Sequence, residues 1–156
     1  MTPLAFQDQM ADNHCFGCGP LNPKGLQIKS YWEGDETVCT FQPKPEHAAG
    51  PEHWLNGGII ATVIDCHCVC TAVAWYYRQE GRDIGTTPGI WCVTGDLNVK
   101  YLRPTPIDHP VELRARIEQP GEKKLVVACT LTSEGKPRAE GRVTAVRVPP
   151  EWRADV

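Results

Sequence analysis

The longest apolar run in the chain begins after Asn56. It reads Gly57-Gly58-Ile59-Ile60-Ala61-Thr62-Val63-Ile64-Asp65-Cys66-His67-Cys68-Val69-Cys70-Thr71-Ala72-Val73-Ala74-Trp75-Tyr76-Tyr77, with Asp65 its single formal charge. Apolar on every side, such a segment reads as a helix without a solvated face, at the centre of a domain or across a bilayer. Asn56 stands where an N-cap belongs. The predicted helix runs from about Gly57 to Tyr77 or Arg78, roughly 30 Å at 1.5 Å per residue.

Elsewhere the period falls to two. Leu26, Ile28, Tyr31 and Trp32 precede Glu33-Gly34-Asp35, and Thr37-Val38-Cys39-Thr40-Phe41 follows, which predicts a hairpin turning at Gly34. Residues 43–55 hold Pro and His without apolar periodicity and read as a loop. After a second loop near Gly81 and Gly89, Leu97, Val99 and Tyr101 alternate with Asp96, Asn98 and Lys100. Val111, Leu113, Ala115 and Ile117 alternate with charged neighbours, Leu125 to Leu131 is apolar enough to be a central strand, and Ala139 to Val148 makes a last strand. One buried helix and about six antiparallel strands predict an α+β domain whose curved sheet wraps the helix. The boundaries follow as a lead-in over residues 1–25, a main domain over 26–148 and a frayed tail over 149–156.

The bilayer alternative is disfavoured by Asp65. A carboxylate at mid-span costs about 2.5–3.5 kcal/mol, and no cluster of Lys or Arg flanks the segment. A formal charge of −3 with 16 scattered Lys and Arg provides no basic field, so neither nucleic acid nor a membrane is an expected partner. Nothing near Met1 resembles an export signal, so the cytoplasm is the expected compartment. Its eight cysteines are then expected as reduced, buried small residues. Cys15-Phe16-Gly17-Cys18, preceded by His14, has the spacing of a zinc half-site, and Cys66 and Cys70 share one helix face while Cys68 points away. The expectation is a shaped turn with no metal and no cofactor.

Three segments in order resemble the hotdog-fold acyl-CoA thioesterases of the PaaI-like and THEM4-like kind. They are Cys15-Phe16-Gly17-Cys18-Gly19-Pro20-Leu21-Asn22-Pro23-Lys24-Gly25-Leu26, the Gly-Gly helix start with an acid eight residues on, and Thr94-Gly95-Asp96-Leu97-Asn98-Val99-Lys100-Tyr101-Leu102-Arg103-Pro104. The resemblance implies Asp65 as catalytic carboxylate, the Gly57 N–H as oxyanion donor and Thr94 as a polar residue that positions water. It also implies an acyl-CoA substrate and paired subunits. The chain departs from the family in carrying Asn56 where His is usual and Gly50 where several relatives have Asn. Asn56 can cap the helix and donate a hydrogen bond, but it cannot carry a proton.

The chemistry fits those residues. Thioester hydrolysis needs an activated water or a carboxylate nucleophile, and donors for the oxyanion. The first N–H groups of a helix have no partner inside it, so Gly57 and Gly58 can present amides to a carbonyl oxygen. An ordinary N-cap would look the same. Asp65 in apolar surroundings is expected to have a raised pKa, as suits a base. Eight helical residues put Gly57 about 12 Å from Asp65, while a reacting carbonyl must lie about 3 Å from both donor and nucleophile. A shared site therefore requires a second, antiparallel copy of the helix, hence a homodimer or a dimer of dimers. Lys100, Arg103, Arg138 and Arg142 are candidates for the CoA phosphates, although strand Arg commonly lies on a solvated face. A hydratase or dehydratase, and a non-catalytic acyl-CoA binder, are the alternative functions.

Overall fold

The structure is a computed structural model that describes residues 2–153; the end of the tail, residues 154–156, lies outside the described residues. In chain order the elements are β1 (Ser30–Glu33), β2 (Glu36–Phe41), α1 (Gly57–Gln79), β3 (Trp91–Tyr101), β4 (Val111–Gln119), β5 (Lys124–Ser133) and β6 (Lys136–Val148). All six strands form one sheet in the order β1-β2-β4-β5-β6-β3, every pairing antiparallel. Helix α1 packs against β3, β4, β5 and β6. A long core helix inside a curved sheet is the α+β arrangement the apolar pattern implied, and it is the hotdog fold the resemblance implied.

Burial explains the composition of α1. Val63, Ile64, Cys68, Ala72 and Val73 are each at most 1% exposed. The helix is long and apolar enough to cross a bilayer by composition alone, yet here the sheet supplies its apolar surroundings. At Gly141 on β6 a Cβ would stand 2.3 Å from the Ile64 side chain, so Gly lets the strand close on the helix. His67 fits because its ring sits in a buried polar chain. Its Nδ1 lies 2.8 Å from Ser30 Oγ and its Nε2 3.2 Å from Thr37 Oγ1, which meets Thr71 Oγ1 at 2.7 Å. Burial lowers the His67 pKa to about 4, so the imidazole is neutral and Asp65 remains the one charge between Gly57 and Tyr77 at neutral pH.

Three departures from the sequence pattern have local causes. The first strand begins at Ser30 rather than Leu26, because Gln27 turns to positive φ (53°) and the Leu26 and Ile28 N–H groups donate to the Phe16 and Gly17 carbonyls instead. The N-terminal segment lacks periodicity but is firmly placed. Phe6 and Met10 enter the core, and Gln7 Nε2 donates to Ser30 Oγ (2.9 Å) while its Oε1 accepts from the Ser30 N–H (2.8 Å). The tail, expected to fray, makes a 3₁₀ turn over Pro150–Arg153, and the Arg153 guanidinium sits 3.8 Å from the centre of the Trp91 ring.

The β3 edge is less buried than its alternation implied. Leu97 is 39% and Tyr101 51% exposed, because β3 is an outer strand with β6 on one side only.

Candidate active site

Helix α1 starts at a made cap. Asn56 is extended (φ −62°, ψ 134°), and its Oδ1 accepts from the Gly58 N–H at 2.7 Å and the Ile59 N–H at 3.2 Å. Gly58 was expected to offer its amide to a substrate, but Asn56 consumes it. Only the Gly57 N–H is left without an acceptor among the described residues, at the end of the helix whose dipole favours negative charge. Asn56→Ala is expected to lower stability by about 1 kcal/mol, read from urea unfolding. An unchanged midpoint would remove the capping role.

Asp65 lies two turns further on, half-buried, where it accepts a 2.7 Å hydrogen bond from the Thr94 hydroxyl. Burial raises its pKa and the Thr94 hydrogen bond draws it partly back. The pairing depends on an irregularity in β3. Thr94 and Tyr101 are seven residues apart and would face opposite sides of a regular strand. A bulge between Thr94 and Asp96, opposite Thr144, inserts one residue and turns both toward α1. Tyr101 Oη then donates to the Gly57 carbonyl at 2.6 Å, fixing the first turn of the helix. The alternation placed Tyr101 on the apolar face with Leu97 and Val99 but gave it no role, and nothing in it marked the bulge at Gly95.

Asp65 and Thr94 border a cavity of about 200 Å³ lined also by Val69, Val73, Trp91, Cys15 and Cys18. A wider cleft of about 430 Å³ opens at the other end of α1 between Trp32, Arg78 and Arg82, but there Arg78 is stacked on Trp32 and Arg82 pairs with Glu80. The basic candidates separate by face. Lys100 and Arg142 stand on the side of the sheet away from α1, opposite Glu140 and Asn98 respectively, and Arg142 pairs with Glu118. Arg138 is held by Glu134 and by the Ser133 and Pro104 carbonyls. Arg103 follows β3 and, like Lys100, is exposed. Within one chain, then, the fold joins Thr94 to Asp65 and Tyr101 to Gly57, and leaves Gly57 and Asp65 at separate places on the helix.

The long core helix inside a curved antiparallel sheet makes this a hotdog-fold protein. The family model described as thioesterase superfamily matches residues 53–140, more than half of the chain, and the chain belongs to that family. A thioesterase superfamily protein of Shewanella loihica has a similar solved structure, with 35% sequence identity and a TM-score of 0.66 over 89% of this chain and 97% of that one. The PaaI protein of E. coli, at 16% identity and a TM-score of 0.64 over 80% of this chain and 81% of its own, supports the fold alone. Among curated proteins, acyl-coenzyme A thioesterase THEM4 of Bos taurus is 25% identical over 132 residues, 83% of this chain and 48% of its own length. Its Xenopus laevis counterpart is 29% identical over 109 residues, 70% of this chain and 43% of its own. The chain thus spans about half the length of the curated relatives it matches, or somewhat less.

Proposed function

We propose that this protein hydrolyses acyl-CoA thioesters, with Asp65 as base or nucleophile, in sites formed by two copies of the chain. The observation that carries the reading is Asp65 itself, a half-buried carboxylate oriented by Thr94 at the edge of a mainly apolar cavity. As base, Asp65 takes the proton of an attacking water and passes it to the departing sulfur; as nucleophile it forms a mixed anhydride with the acyl group, the sulfur takes its proton from water, and a second water hydrolyses the anhydride to free Asp65. Negative charge moves to the carbonyl oxygen, where a Gly57 N–H receives it, and the C–S bond breaks to release CoA as its thiol. The acyl group would occupy the part of the cavity lined by Val69, Val73 and Trp91. Lys100 and Arg103 remain the candidates for the CoA phosphates.

Pairing of chains is supported by what one chain leaves open. The first half of α1 keeps Gly58, Ala61, Thr62, Asp65 and Val69 partly or fully accessible, a stripe of mostly small residues at helical spacing. Beside it β3 presents an unpaired edge with Leu97, Tyr101 and Leu102 exposed, the kind of apolar edge that another chain covers. An antiparallel partner helix on that stripe would set Gly57 of one copy against Asp65 of the other.

The hydratase or dehydratase alternative loses support because no His lines the Asp65 cavity among the described residues, and His67 is fully buried between Ser30 and Thr37. Incubation with a panel of short-chain, long-chain and aryl acyl-CoA esters, following free thiol, is expected to give release dependent on the protein. Binding of the esters without thiol release would instead establish the non-catalytic binder.

A further inference from the structure

All eight cysteines are free thiols, but they are not evenly spread. Cys39, Cys68 and Cys129 are buried in the core away from the Asp65 cavity, whereas Cys15, Cys18, Cys66 and Cys70 line it. The Sγ atoms of Cys15 and Cys66 are 3.6 Å apart and those of Cys18 and Cys70 3.7 Å apart. Cys15, Cys18 and Cys66 place all three sulfurs within 4.8 Å of one another. Four sulfurs each about 2.3 Å from one zinc ion would stand about 3.8 Å apart at the corners of a tetrahedron, close to both short separations. Sulfurs in simple contact stand at a similar distance, so it is the gathering of three of them, from a loop and a helix, that points to a shared ligand.

The loop is built to hold them there. The Gly19 N–H donates to the Cys15 carbonyl at 2.8 Å, and the Leu26 N–H donates to the Phe16 carbonyl at 2.7 Å, so both sides of the Cys15–Cys18 turn are pinned. A Cβ on Gly17 would lie 2.3 Å from Cys66 Sγ and 2.9 Å from the Thr62 side chain, so only Gly lets the loop sit this close to α1. Asn13, 2% exposed, accepts from the Cys15 N–H at 3.1 Å and directs its Nδ2 toward Cys18 Sγ at 3.7 Å. An outer N–H donor aimed at a ligand sulfur is a usual companion of thiolate–metal sites.

We propose that Cys15, Cys18, Cys66 and Cys70 bind one zinc-class divalent ion. The first three are grouped already, and Cys70 completes the set by rotating its side chain. Soft thiolates select zinc over magnesium or calcium. Each S–H gives its proton to solvent as its sulfur–metal bond forms, and no group is oxidised. With four thiolates the ion has no open position, so its role is structural. It staples the N-terminal segment to α1 and fixes the wall next to Asp65. This site revises the expectation of a metal-free turn, and it stands independently of the thioesterase reading.

The test uses the full chain, purified under reducing conditions without added metal, stripped with a chelator and titrated with Zn²⁺ or Co²⁺. One ion per chain is expected, with Co²⁺ giving thiolate-to-metal charge transfer in the near ultraviolet and the visible bands of tetrahedral cobalt. Cys15 is exposed, so Cys15→Ala should fold normally. Its loss of metal affinity is expected to exceed the about 10–100-fold that follows loss of an outer partner, while Asn13→Ala should fall within that range and Cys39→Ala should change nothing. Cys70→Ala should alter the cobalt bands. A reduced, folded chain that gives no charge-transfer band would overturn the site, as would undiminished affinity in Cys15→Ala or the appearance of a Cys15–Cys66 disulfide in place of metal uptake.

Discussion

Replacement of Asp65 by Asn is expected to lower kcat/KM for an acyl-CoA thioester by about 10²–10⁴-fold, the usual worth of a positioned carboxylate in proton transfer. The substitution is nearly isosteric, and the oxygen of the introduced amide can still accept the Thr94 hydrogen bond. The melting temperature and circular dichroism should therefore remain close to those of the parent. The cause of the expected loss is chemical: an amide at this position neither takes a proton from water nor attacks a carbonyl. If a folded Asp65→Asn protein released thiol at the parental rate, Asp65 would have no part in turnover.

Much of this architecture was legible in the chain because its signals are local. Asn56 followed by two Gly announces a helix start, and the observed α1 begins at Gly57 as read. Strict alternation from Val111 to Glu118 marked β4, and the apolar run at Leu125 marked a strand with neighbours on both sides. The family resemblance singled out Asp65 and Thr94 separately, and the structure joins them by a 2.7 Å hydrogen bond. What escaped the sequence was set by geometry over long distances. Gly58 loses its amide to the Asn56 cap, and Thr94 shares the α1-facing side with Tyr101 only because the β3 bulge shifts the strand's parity. Arg142 turns to the outer face, where it meets Glu118. The thiol cluster joins residues about fifty positions apart, so a CxxC spacing alone could not identify its partners.

The second large effect belongs to Gly57→Pro. Pro has no N–H, and its fixed φ suits the first helical position. Asn56 already has the extended backbone that a residue before Pro requires, so the helix should start where it does now. Loss of one oxyanion donor is expected to cost about 10²–10³-fold in kcat. Full activity in a folded Gly57→Pro protein would assign the oxyanion to another donor.

Those two inactive variants together test the shared site most directly. Within one helix Gly57 and Asp65 are about 12 Å apart, too far to act on one carbonyl, so the proposed site takes Gly57 from one chain and Asp65 from the other. In a heterodimer of Asp65→Asn and Gly57→Pro chains, one site receives both substitutions and the other receives neither. Reversible dissociation, mixing and reassociation, with exchange followed by mass, is therefore expected to restore up to about half the parental activity per heterodimer, one intact site of two. Confirmed heterodimers that remain as inactive as their parents would contradict a site built across two chains.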